Sequence, residues 1–107
     1  PNVEDVKLII PEGKEGWLFK DKQDWIRSLG YDNNDEFLKV IYKLIKQAYC
    51  DGNYKVKNHD KHGVKIDLYL TLPGAGSKLG RSYPVKSAFM IFPNGKLKCN
   101  TILGGRQ

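Results

Sequence analysis

Two hydrophobic periods divide this chain. As far as about residue 50, apolar residues recur every three or four positions, as on a helix with one buried stripe. From Asn53 onward they alternate with polar residues, as on a strand with one covered face. The longest helical stripe holds Phe37, Val40, Ile41, Leu44, Ile45 and Ala48, with Lys39, Lys43 and Lys46 lying off it. Asn33 or Asn34 can cap this helix, and Asp35 and Glu36 in its first turn favour the helix dipole. The pattern therefore predicts a helix from about Asp35 to Tyr49, stopping near Asp51-Gly52. A shorter helix is expected over Asp21–Leu29, where Trp25, Ile26 and Leu29 recur and Gly30 is placed for a left-handed cap. Before it, Pro11 to Gly16 reads as a turn-rich connector, and Val6 to Ile10 as a short strand or a helical turn.

In the second half, Tyr54 and Val56 alternate with Lys55 and Lys57, and Asp60 to Gly63 reads as a turn. Val64, Ile66, Leu68, Leu70 and Leu72 then alternate with Lys65, Asp67, Tyr69 and Thr71, which predicts a half-buried strand. Pro73 to Ser82 is a glycine-rich loop carrying Lys78 and Arg81; it lacks the Gly-Lys-Ser/Thr ending of a P-loop. A last hairpin is expected around Asn94-Gly95, read as a two-residue type I′ turn. That register pairs Phe92 with Leu97, Met90 with Cys99 and Ala88 with Thr101, and gives this set to the core. It leaves Ser87, Phe89, Ile91, Lys98, Asn100 and Ile102 on the open face. The expected fold is α+β: N-terminal helices packed on one face of a roughly four-stranded antiparallel sheet, the other face partly open.

Length and composition narrow the class. A chain of 107 residues fits one domain. No apolar run approaches the ~20 residues that span a bilayer. Because the chain begins with Pro1 and not Met, it is read as a piece of a longer protein. The net charge of +6 is lopsided: residues 1–50 hold eight Lys/Arg and nine Asp/Glu, residues 51–107 ten and three. A basic excess confined to the sheet half fits a polyanion partner, although a solvated basic face explains it as well. Cys50 and Cys99 form no metal motif and read as small buried hydrophobes. No metal or other cofactor is expected.

The open face and its rims then collect candidate chemistry: Lys65, Asp67, Tyr69, Thr71, Ser87, Phe89, Lys98 and Asn100, with Arg81 in the preceding loop and His59 and His62 at the first hairpin. Metal-free RNA cleavage needs a base for the 2′-OH, an acid for the leaving oxygen and donors for the phosphate. Histidine titrates near neutrality, Lys and Arg suit phosphate, and an exposed Phe89 or Tyr69 offers a stacking surface for bases. Each has a plainer reading. Turn histidines are usually solvated, Asp67 can be half of a surface ion pair, and Ser87 and Asn100 can bond across the ladder.

Several short features together resemble a known group. They are Lys22 three residues before Trp25, Leu29-Gly30-Tyr31, a long helix, the Asp60–Gly63 turn, Ile66-Asp67, the glycine loop with Arg81, Ser87 followed by Phe89, and a last strand with Asn100. The chain resembles the C-terminal toxin domains of large secreted bacterial effectors, including contact-dependent growth-inhibition toxins. Its layout is similar to the barnase, EndoU, colicin D and RelE ribonucleases. The resemblance implies a metal-independent ribonuclease acting on transfer RNA, with 2′-OH attack leaving a 2′,3′-cyclic phosphate. It implies His62 as base or acid, Arg81 and Lys98 on phosphate, Ser87, Asp67 and Asn100 orienting the reacting groups, and Lys22 reaching the cleft edge. His59, Lys65, Tyr69 and Phe89 would contact RNA. Many such enzymes carry a histidine on a sheet strand, whereas both histidines here lie at a turn; if neither reaches the cleft, Lys22, Lys65 or Asp67 takes over proton transfer. An acidic immunity protein, a possible host factor, and delivery from a cell-surface effector into a target-cell cytoplasm follow from the same resemblance. The rival expectation is a non-catalytic basic module that binds RNA or an acidic protein.

Overall fold

Helical structure begins earlier than the stripe around Trp25 implies. The structure, a computed structural model, describes residues 3–105. After a 3-10 turn at Val3–Asp5, strand β1 covers Leu8–Ile9, and helix α1 runs over Lys14–Ser28, not Asp21–Leu29. Gly16 lies inside it. Only Pro11 to Gly13 forms the turn, closed by Lys14 N–H donating to the Pro11 carbonyl at 3.2 Å. Leu18 and Ile26 supply the fully buried positions of this helix.

Helix α2 covers Asn34–Cys50. The Asn33 side chain caps it, accepting from Glu36 N–H at 3.0 Å. Phe37, Ile41, Ile45 and Ala48 are its buried stripe. Each of these larger apolar side chains contributes about 1.5–3 kcal/mol when fully buried.

Strands β2 (Tyr54–Asp60), β3 (Gly63–Pro73), β4 (Ser82–Ile91) and β5 (Leu97–Gly105) form the expected antiparallel meander. The sheet is five-stranded and mixed, however, because β1 pairs in parallel with β5 at Leu8–Leu97 and Ile9–Lys98. The order is β1-β5-β4-β3-β2. The fold is α+β. Both helices contribute to one core with Ile66, Leu68, Leu70 and Leu72 of β3, so they cover one face of the sheet.

The last hairpin differs from its expected geometry, and the difference decides which residues face out. Gly95 N–H donates to the Phe92 carbonyl, and Phe92 N–H to the Lys96 carbonyl, both at 2.8 Å. Gly95 has φ 86, while Asn94 is not left-handed. This is a turn over Phe92–Gly95 followed by a left-handed glycine, a three-residue loop instead of a type I′ pair. Pro93 is the cause: its ring presets the first central position of such a turn. The register shifts accordingly to Ile91–Leu97, Met90–Lys98 and Phe89–Cys99. A bulge at Asn100 then restores Ala88–Thr101. Ser87 and Phe89 therefore belong to the covered face, each at 0% exposure, while Ala88 and Met90 turn outward. Cys99 keeps its expected place in the core, and both cysteines are free.

A second irregularity follows on β5. Lys86 pairs with Gly105, so this strand has extra length opposite Ser87. Leu103 sits there at φ 55, and its N–H donates to the buried Ser87 Oγ at 3.0 Å. The glycine-rich loop is anchored at its root. Tyr31 OH donates to the Pro73 carbonyl at 2.6 Å and Ala75 N–H to the Leu29 carbonyl at 2.9 Å. Gly30 permits that approach: its φ is +97, and a Cβ there would lie 1.7 Å from the Ala75 oxygen.

Candidate functional site

The uncovered face of the sheet gathers cations in adjacent rows. Paired residues across a ladder point to the same side. Asn58, Lys65, Met90 and Lys98 make one row across β2 to β5; Lys55, Asp67, Ala88 and Thr101 make the next; Tyr69 and Lys86 begin a third. Lys57, at a bulge in β2, reaches into this group and holds Asp67 Oδ2 at 3.8 Å from its Nζ. That pair is exposed on the lysine side and contributes at most about 1 kcal/mol. The centre of the face is thus one largely shielded carboxylate, Asp67, among Lys55, Lys57, Lys65, Lys86 and Lys98. Neither Tyr69, Ala88 nor Met90 belongs to the core or to the apolar residues packed against it.

Cavities lie at the margins of the sheet. One of about 360 Å³ is lined by Lys14, Trp17 and Thr101 among others, and one of about 180 Å³ by Gln47, Asp51, Tyr69 and Thr71. Neither is lined by Asp67. The basic residues are spread over four neighbouring strands, an arrangement that suits a polymer laid across them. No helix among the described residues is long and apolar enough to cross a membrane. Among the described residues, no three of His, Cys, Asp and Glu gather in a group that could hold a metal ion.

The other residues singled out by sequence are dispersed. His62 lies in the turn before β3, its N–H donating to Asp60 Oδ1 at 2.7 Å. That bond comes first among the causes holding the Asp60 carboxyl below the usual carboxylate range. Arg81 immediately precedes β4, whose Ser82 pairs with the far end of β3 at Pro73. Eleven residues of β3 separate the two. At about 3.3 Å per residue they stand roughly 30 Å apart, beyond any shared phosphate. His59 pairs with Val64 and so faces the helix side at an exposed margin. Lys22 lies on α1 between Leu18 and Ile26, in the layer on the other side of the sheet. Phe89 and Ser87 are enclosed, and Asn100 is the half-buried bulge residue.

No family model, curated protein or solved structure matches the chain. The site therefore stands on its own geometry. Lys65, Asp67, Tyr69 and Lys98 are brought together as expected from alternation. Lys55, Lys57, Lys86, Ala88 and Met90 were missed. Lys86 carried the signal: a lysine is almost never fully buried, and it shares its side of β4 with Ala88 and Met90. An outward Lys86 by itself puts Ser87 and Phe89 inward, whatever the turn.

Proposed function

We propose that this protein binds RNA across the open face of its sheet. The observation that carries this reading is the set of five lysines, Lys55, Lys57, Lys65, Lys86 and Lys98, on neighbouring strands of a face no helix covers. Such an array neutralises phosphates along a backbone and releases their counterions.

A second reading, cleavage of the bound RNA, is favoured by Asp67. A carboxylate centred among phosphate-binding lysines repels the ligand, so a simple binder gains nothing from it. In a metal-independent ribonuclease it has work to do. Asp67 takes the proton from a 2′-OH as that oxygen attacks the adjacent phosphorus. Lys65 and Lys98 stabilise the crowded phosphate. The bond to the 5′-oxygen breaks, leaving a 2′,3′-cyclic phosphate and, once that oxygen is protonated, a 5′-hydroxyl. Asp67 replaces His62 as proton acceptor because the histidine lies at the end of β3, at the turn.

In this reading the domain is the toxin part of a secreted cell-surface effector of the barnase, colicin D and RelE layout. It cuts transfer RNA in a target-cell cytoplasm, alone or with a host factor. An acidic immunity protein would cover the same lysines.

Transfer RNA in excess EDTA separates the readings, with retention and cleavage measured on the same samples. For the enzyme, wild type gives discrete fragments ending in cyclic phosphate, and Asp67→Asn abolishes them while binding holds. For the binder, no fragments appear and Asp67→Asn binds more tightly. Failure of wild type to retain RNA at low salt contradicts both.

A further inference from the structure

We infer that the open face is built for single-stranded RNA, with bases laid along Tyr69, Ala88 and Met90 and phosphates held by the surrounding lysines. The inference rests on the RNA reading above and narrows it to one class of ligand. It begins with three side chains that the fold does not need. By strand alternation Tyr69, Ala88 and Met90 lie on the face away from the helices and outside the core and its packed margin, with Tyr69 bordering the small cavity beside the end of α2. Met90 stands between Lys65 and Lys98 in its row, and Ala88 between Asp67 and Thr101. Tyr69 is level with Lys86 on the neighbouring strand. Together they form a neutral diagonal track through a cationic field. Successive members of a strand face are about 7 Å apart, twice the rise per residue.

A purely electrostatic surface would gain from a cation at each of these positions. A methionine in the centre of the field forgoes that gain and offers a polarisable thioether, which contacts aromatic rings favourably. The phenol of Tyr69 supplies a stacking face for a base of any identity. An A-form duplex cannot use this track, because its base faces are stacked inside and its surface presents phosphates and 2′-hydroxyls. Unpaired segments splay their bases outward and can use it.

The test compares a short single-stranded RNA with a hairpin duplex of equal phosphate count at the same salt, using the whole chain. Wild type should favour the single strand. Tyr69→Ala should weaken single-strand binding by roughly five- to a hundredfold and leave duplex binding nearly unchanged. Met90→Lys is the sharper variant, since it adds a cation. It should strengthen duplex binding and weaken single-strand binding by roughly two- to tenfold. Equal wild-type affinity for the two RNAs, or a Met90→Lys protein that binds the single strand more tightly, overturns the single-strand inference and leaves RNA binding standing. Binding of neither RNA, with retention on polyglutamate, overturns the RNA reading itself and assigns the face to an acidic protein.

Discussion

Ile66, Leu68, Leu70 and Leu72 share a strand with Lys65, Asp67, Tyr69 and Thr71, yet different demands govern the two sets. The first set is buried against α1 and α2, where volume and shape select each side chain. The second set supports no layer. Its one lysine, Lys65, lies opposite Asn58 and Met90 and gains no charged partner in the ladder, so folding gains little from its placement. The comparison teaches where to look for function in this protein. On the covered face a residue is explained by its neighbours in the core. On the open face that explanation fails, and the proposed RNA ligand would account for the pattern.

The largest expected effect tests the assignment of faces. Phe89→Ala should cost about 3–5 kcal/mol in denaturant unfolding, the usual loss for a buried aromatic. Met90→Ala, one residue on, should cost under about 1 kcal/mol because it leaves no buried cavity. Reversed magnitudes would restore the register in which Met90 faces the core. Ser87→Ala should cost about 1–3 kcal/mol, since it leaves the Leu103 N–H without its acceptor in a buried site. Faster amide exchange at Leu103 would locate that loss.

Alkaline titration probes the covered face without mutation. Burial raises the Cys99 thiol from 9.0 to about 11. A raised acid favours its neutral form in the folded state. The stabilisation is therefore complete below pH 9 and is lost as pH rises through about 11. The expected loss is about 2 kcal/mol by that pH, and Cys99→Ala should flatten that part of the pH profile. Burial also raises Tyr42, whose hydroxyl donates to Glu15, and its contribution is lost at still higher pH. The smallest stability effects belong to the open face: Lys65→Ala and Lys98→Ala should each change stability by no more than about 0.5 kcal/mol.

The parts legible in sequence were those with long, uninterrupted periods. The β3 alternation and the α2 stripe, with an asparagine cap at position 33 or 34, need only local chemistry; the structure selects Asn33. The β4–β5 faces are not legible in this way, because Asn94-Gly95 signals a type I′ turn where Pro93 sets a different one, and because a bulge at Asn100 breaks simple counting. Strand β1 has two residues and pairs in parallel with a distant segment, so no period announces it. Gly16 reads as a helix breaker, yet α1 runs through it because tertiary packing of Leu18 overrides that modest cost. For the site, alternation placed Lys65, Asp67 and Tyr69 together. The cross-strand arrivals Lys55 and Lys57 require the ladder itself.

The most direct test of the central claim is the salt dependence of single-stranded RNA binding by wild type and by the Lys65→Ala/Lys98→Ala double variant. Each lysine that neutralises a phosphate contributes about −0.7 to the slope of log affinity against log salt. Binding across the open face requires weaker affinity in the double variant and a slope shallower by about 1.4. An unchanged slope, with RNA still bound, would place the nucleic acid elsewhere on the protein and contradict the claim.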